Sequence, residues 1–199
     1  MLKIESDNLY FRIIQESDMS IIAPAMTGVF ATGKLPNETD KKYFYYKANK
    51  QNSAFPTTQR VLAEDDKGHL NLTICLKSDD SPIGYYIIKY IGTRIENPMT
   101  ALIPEQRGQG FYSEIIITKM RFNFDTLGAS EVMGILPISD SWLRNGAVKH
   151  TVDSLYTHDE KTFTIDQGEY RQTTATKTDW DAWISASPKN SLSYNLTWN

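Results

Sequence analysis

Hydrophobic positions along this chain switch between the two-residue period of a half-buried strand and the wider spacing of a helix, and the switching predicts most of the elements. Leu9-Tyr10-Phe11-Arg12-Ile13-Ile14 reads as a first strand. Ser17 is placed to cap a short apolar helix, Met19–Met26, which contains Pro24 and stops near Gly28. Leu35-Pro36-Asn37 opens a second helix, Glu38–Asn52, carrying Tyr43, Phe44, Tyr45 and Tyr46, rings that either pack on a sheet or line a substrate mouth. Arg60–Glu64 reads as a strand, followed by an Asp65-Asp66-Lys67-Gly68 turn. Leu70, Leu72, Ile74 and Leu76 then alternate with polar or small residues. After a Ser78–Pro82 turn, Gly84–Ile91 is expected as a third strand. A turn through Glu96-Asn97-Pro98 leads to a short fourth, Met99–Ile103.

From Phe111 to Leu127 the residues Tyr112, Ile116, Met120, Phe124 and Leu127 recur at helical spacing, with Gly128 suited to the C′ position. Val132–Pro137 is the next strand, completing a β-loop-α-β unit. Ser139 or Asp140 would cap a short helix over Trp142–Val148, and His150–Tyr156 with Lys161–Tyr170 reads as a final hairpin. The rest, Thr173–Asn199, is polar apart from Trp180, Trp183 and Trp198, and is expected to dock as a helix (Thr178–Ser185) and an extended end. The whole predicts one α/β (α+β) domain over residues 1–172 with a mostly antiparallel sheet. The tail at 173–199 would pack on the domain or on a partner.

Composition narrows the class. With 199 residues, 40% hydrophobic and 12% aromatic, the chain can bury a sizeable core. The net charge of -3 gives no general attraction to nucleic acid or to an anionic membrane. The single cysteine, Cys75, excludes an internal disulfide framework and, on an alternating strand, is expected as a buried inert thiol rather than a nucleophile. His69, His150 and His158 show no metal-ligand spacing among themselves or with Cys75, so no metal is expected. No apolar run approaches the ~20 residues that span a bilayer, and with no secretory signal pattern at the start a cytoplasmic location is expected.

The stretch with the most chemistry is Pro104-Glu105-Gln106-Arg107-Gly108-Gln109-Gly110-Phe111-Tyr112, between a strand and a helix. Two glycines one residue apart let the backbone turn tightly and approach a ligand, while the following helix start offers free N–H groups and the positive end of its dipole. That arrangement suits a phosphate, with Arg107 as an added cation. A nucleotide P-loop needs Lys-Ser/Thr after the second glycine, where Phe111-Tyr112 stands instead. A dinucleotide fingerprint needs a third glycine or alanine at position 113, which is Ser113, and its acidic partner Glu131 precedes a strand rather than ending one.

The order of elements together with Arg107-Gly108-Gln109-Gly110-Phe111-Tyr112 resembles the GNAT N-acetyltransferase superfamily, whose signature is Gln/Arg-x-x-Gly-x-Gly/Ala. The resemblance covers roughly Leu9–Tyr170 and departs from the signature at Tyr112, where glycine or alanine is usual. It implies a mixed sheet splayed between its fourth and fifth strands and flanked by helices. It also implies acetyl-CoA as cosubstrate, with the N–H groups of Arg107, Gly108, Gln109, Gly110, Phe111 and Tyr112 on the pyrophosphate. Ala101, Leu102 and Ile103 would pair with the pantetheine arm like an extra strand. Asn145, Ser139 or Ser141 would contact the coenzyme.

The implied reaction is direct transfer of an acetyl group to a primary amine, on a small molecule or a protein. An alkylammonium of pKa near ~10.4 is neutral in only about one molecule in a thousand at neutral pH, so a base is needed. Glu96, eleven residues before Arg107, stands at the spacing of the catalytic glutamate in histone-type members; Glu64 and His150 are the other candidates. The tyrosine that many members use to protonate the departing thiol has no counterpart in 139–149, and Tyr156 comes only later. The alternative is a GNAT-fold module that binds coenzyme A and has lost catalysis. Tyr43–Tyr46 and the Trp-bearing tail are expected at acceptor contacts or a homodimer interface.

Overall fold

The computed structural model of the chain describes residues 2–26, 37–53, 55, 61–137, 154–165, 168–187 and 191–198. In chain order the elements are β1 (Leu2–Glu5), β2 (Leu9–Ile13), α1 (Met19–Ile22, between two 3₁₀ turns), α2 (Glu38–Ser53), β3 (Lys67–Leu76), β4 (Pro82–Ile91) and β5 (Arg94–Leu102). They continue with α3 (Tyr112–Arg121), extended by a π-helical turn at Phe122–Thr126, then β6 (Glu131–Pro137), β7 (Thr157–Ile165), β8 (Gly168–Thr176), α4 (Lys177–Ala186) and β9 (Asn195–Trp198). Among the described residues these strands form one sheet in the order β7-β8-β6-β5-β4-β3-β2-β1-β9, with every neighbouring pair antiparallel except β5–β6. No helix among them is long and apolar enough to cross a membrane.

The two faces follow from the alternation in the central strands. Leu70, Leu72 and Ile74 of β3 and Tyr86, Ile88 and Tyr90 of β4 point into the main core, where they meet Ile115, Ile116 and Met120 of α3 and Trp180 of α4. Each such apolar side chain contributes about 1.5–3 kcal/mol by leaving water. The opposite face is polar in sequence yet also buried, because α1 and α2 cover it. There Asn71 pairs its backbone and side chain with Asn52 of α2, and Thr73 donates to Asp18 at 2.7 Å. Asp18 in turn takes both guanidinium nitrogens of Arg12 at 2.7 Å. Tyr85, Ile14, Met19, Ile22 and Ala48 form a second, smaller core beside them. Cys75 is fully buried on this face, and burial pushes its thiol pKa up.

Several elements differ from the sequence expectation for physical reasons. Residues 61–63 of the expected Arg60–Glu64 strand are not extended into a ladder; Leu62 instead bonds back to Leu127, and Glu64-Asp65 makes the turn. β1 is four residues long, too short for its alternation to register, and is held between β2 and β9. The final hairpin is shifted to Thr157–Ile165 and Gly168–Thr176, so position 173 falls inside β8. The tail supplies α4 and, through β9, the outermost strand.

The largest difference is at Glu96-Asn97-Pro98, which lies inside β5 rather than in a turn; the turn is at Gly92-Thr93. Ile87 pairs with Met99 but Lys89 pairs with Glu96, so Ile88 alone stands opposite Asn97 and Pro98. That is a β-bulge, a place where a residue without an N–H is tolerated. β5 pairs with β6 only through Arg94↔Glu131, Ile95↔Val132 and Glu96↔Met133. Beyond the bulge the two strands part, and the sheet is splayed there.

Candidate functional site

The splay and the glycine loop lie at the two ends of the half of β5 that β6 leaves unpaired. Beyond Glu96 no strand among the described residues pairs with the outer edge of β5, while its inner edge remains bonded to β4 through Ala101↔Tyr85 and Leu102↔Gly84. The outer edge at the half-buried residues Ala101, Leu102 and Ile103 therefore has no partner strand, as an extended ligand requires, while the Ile103 N–H bonds inward to the Ile83 carbonyl. A single 3₁₀ turn, Pro104–Gln106, then delivers the chain to the loop. Arg107 lies exposed there with its Nε donating to the Leu102 carbonyl at 3.0 Å, which folds it along the end of β5.

Gly108 and Gly110 have φ of +76° and +87°, a region that side chains with a Cβ rarely enter. A Cβ built on either would meet nothing within 4 Å, so the loop's outer side is open. Among the described residues the N–H groups of Gly108, Gln109, Gly110 and Phe111 donate to no backbone carbonyl. Phe111 occupies the N-cap of α3 without a side-chain cap, leaving the first-turn donors of that helix unfilled as well. Tyr112, the departure from the signature, turns inward with Phe111 against the main core. Burial pushes its phenol up to about 12. The bulky residue therefore leaves the loop clear.

The base of α3 is fixed by Glu114. Its carboxylate is buried and accepts from Ser6 Oγ at 2.6 Å, Asn8 N at 2.7 Å, Asn8 Nδ2 at 3.0 Å and Leu9 N at 3.0 Å. This ties the helix that starts at the loop to the β1–β2 turn. One turn on, Lys119 is only 7% exposed, with Nζ 3.4 Å from Thr100 Oγ1 on β5 and 5.7 Å from the Tyr86 ring centre. Burial lowers its pKa to about 8. Tyr156, just before β7, donates to Met120 Sδ at 3.7 Å, and burial raises its pKa. Neither Glu114 nor Lys119 stands out in the sequence, where both sit in an ordinary amphipathic run.

Of the proposed bases, Glu96 lies at the throat of the splay, the last β5 residue paired with β6. Its carboxylate reaches Lys89 at 3.0 Å and Arg94 at 3.6 Å. Glu64 is exposed at the opposite, closed end of the β5–β6 pair, in a polar recess with Gly92, Thr93, Arg94, Ser130 and Glu131. The structure does not bring it to the groove. His150, Asn145, Ser139, Ser141 and the expected helix Trp142–Val148 lie outside the described residues. On α2, Phe44 and Tyr45 pack on the second core, whereas Tyr43 and Tyr46 are each 65% exposed. No group of three His, Cys, Asp or Glu among the described residues is placed to hold a metal ion.

A mostly antiparallel sheet that splays beside a Gly-loop helix is the fold of the GNAT N-acetyltransferases, and comparison with solved structures shows it directly. The chain is similar to an acetyltransferase of the GNAT family from Bacillus anthracis, with 13% identity, 88% of this chain and 99% of that chain covered, and a TM-score of 0.65. It is also similar to the dodecameric spermidine N-acetyltransferase of Vibrio cholerae (13% identity, 87% and 96% covered, TM-score 0.61). A third similar structure is FdhC, a nucleotide-linked sugar GNAT (12% identity, 90% and 93% covered, TM-score 0.64). No protein-family model matches the chain, and no curated protein matches it in sequence. The likeness is one of fold.

Proposed function

We propose that the chain is an acetyl-CoA-dependent N-acetyltransferase that passes an acetyl group directly to a primary amine. The observation that carries this reading is the open, donor-lined loop at Gly108–Gly110, continuous with the unpaired edge of β5. The residues fit the coenzyme: donors from Gly108 to Tyr112 suit a pyrophosphate, Arg107 adds positive charge, and the edge at Ala101–Ile103 suits an amide-bearing arm. When bound, the coenzyme supplies an activated acyl group as a thioester. The chain's own part is to orient that group, exclude water along the main core, and take a proton from the acceptor.

Glu96 is the group we assign to the acceptor's proton. It sits where the splay begins, partly exposed on the sheet face that carries α1 and α2, so an amine entering there meets a carboxylate. A carboxylate also attracts an alkylammonium before transfer, in keeping with the spermidine named for one similar structure. The acceptor class we favour is a cationic amine, with exposed Tyr43 and Tyr46 nearest in kind to a contact surface. One observation favours the second reading, a coenzyme A-binding module without catalysis: the Glu96 carboxylate is already engaged by Lys89 and Arg94.

Isothermal calorimetry with acetyl-CoA tests the binding site. Wild type is expected to bind, and Arg107→Glu combined with Gly110→Trp to abolish binding while the circular dichroism spectrum is retained. Binding that survives both changes would sink the reading. Consumption of acetyl-CoA in the presence of polyamines, above the rate without protein, separates an enzyme from a binding module.

A further inference from the structure

α3 is enclosed over seven consecutive residues, Glu114–Met120, and two of them carry ionisable heads. Their treatment differs. Glu114 receives four hydrogen bonds. Lys119 has a single long contact, 3.4 Å to Thr100 Oγ1, and the face of the Tyr86 ring. The Tyr86 hydroxyl is turned away to Asn123 Oδ1 at 2.8 Å. Among the described residues no carboxylate lies within ion-pair distance of Lys119 Nζ. A buried ammonium without a counter-charge is held at a penalty of several kcal/mol, so its position calls for a partner that arrives from outside the chain.

Its direction identifies that partner. Thr100 lies on the splayed half of β5, one residue before Ala101. A coenzyme anchored by its pyrophosphate at 107–112 runs back along Ile103, Leu102 and Ala101, so its far end, the sulfur, comes beside Thr100. That placement rests on the reading proposed above. We infer that Lys119 is the cation that pairs with the coenzyme's sulfur, holding it as a thiolate. When the acyl carbon leaves, the C–S bond breaks and its electron pair stays on sulfur. The thiolate stays paired with the Lys119 ammonium and is protonated by water only as the product departs, the hydroxide so formed taking up the proton released by the acceptor amine.

The groups around Nζ agree with this division of roles. Tyr86 from β4 presents its ring and Thr100 from β5 a hydroxyl. Lys119, brought down to about 8, still carries its charge at neutral pH, as pairing with a thiolate requires.

Coenzyme A itself is the probe. Calorimetry establishes its binding to wild type, Lys119→Met and Lys119→Gln, and the ultraviolet absorbance of the thiolate is then followed across a pH series for free and bound coenzyme. In wild type the bound thiol is expected to ionise with a constant at least about tenfold larger than that of the free coenzyme. In both variants it should ionise no more readily than free coenzyme A. The Gln variant keeps a hydrogen-bond donor without the charge, so it isolates the charge from the shape. Equal ionisation in all three proteins with coenzyme A bound overturns the inference alone. No binding to wild type overturns the proposed function and this inference together.

Discussion

Replacing Lys119 by methionine is expected to stabilise the free protein, an unusual outcome for a buried position in a central helix. In the native state burial lowers the lysine from 10.5 to about 8. Below the native value both folded and unfolded chains carry the proton, and the folded state bears the full penalty of about 3 kcal/mol. Between about 8 and 10.5 the unfolded chain binds more protons than the native one, so wild-type stability rises with pH and the penalty shrinks to about 1 kcal/mol near pH 10. Methionine has similar length, good helix propensity and no charge, and loses the 3.4 Å contact to Thr100 and the charge over the Tyr86 ring, where a thioether still packs. Urea unfolding of both proteins at pH 7 and pH 10 measures the difference. Lys119→Met should gain about 3 kcal/mol at pH 7, or roughly 6–12 °C in Tm for a chain of this size, and much less at pH 10. Equal stability at pH 7, or a loss, would refute the reasoning, because it would mean that the ammonium already has a compensating anion in the free protein.

Substitutions at three further positions probe the framework and the base. Glu114→Ala leaves Ser6 Oγ and the Asn8 and Leu9 amides without their acceptor and should lower stability by about 3–5 kcal/mol in urea titration, whereas Glu114→Gln, which misplaces only the contact with Asn8 Nδ2, should lose about 1 kcal/mol. Asp18→Asn breaks the buried pair with Arg12 and should cost about 3–5 kcal/mol. Burial pushes Asp18 up, but hydrogen bonds from Arg12, Thr73 and the Gln15 amide outweigh it and leave its pKa lowered. Its contribution is therefore present above the unfolded value of 3.8 and lost as pH falls through the native value, so the acid limb of a stability–pH curve should flatten in the variant. Glu96→Gln should leave acetyl-CoA affinity unchanged and reduce kcat by about 10²–10⁴-fold with a polyamine acceptor; an unchanged rate would favour the non-catalytic reading or another base.

What the sequence discloses, and what it conceals, follows from the range of the interactions. β3, β4, α3 and the glycine loop are legible because their signals are local: a two-residue period at Leu70–Leu76, helical spacing from Tyr112 onward, and glycines where φ must be positive. Glu114 is not legible, since its partners are Ser6, Asn8 and Leu9, more than a hundred positions away. Lys119 reads as a polar-face residue of an amphipathic helix until β5 is laid against it. The tail's role depends on β9 reaching β1 at the far edge of the sheet, a contact between the two ends of the chain.

The Asn97-Pro98 step shows how one local feature can mislead as sequence and still create the site. Read alone it signals a turn; inside β5 it is the extra residue of a bulge, and an extra residue inverts the alternation of a strand. The inversion is visible in the packing. Ile95 points into the main core beside α3, whereas Ala101 and Ile103, which share its parity, point into the second core beside α1 and α2. Glu96 and Thr100, four residues apart, would share a face on a regular strand. With the bulge between them Glu96 meets Lys89 on the α1–α2 side while Thr100 meets Lys119 on the α3 side. A direct transfer moves two protons, one off the acceptor and one onto the leaving sulfur, and these are better kept apart than exchanged between neighbours. The bulge places an anion and a cation on opposite faces of the same strand, at the point where β6 parts from it. The residue pair that interrupts the strand thus separates the two groups we assign, Glu96 and Lys119, at the point where the sheet opens.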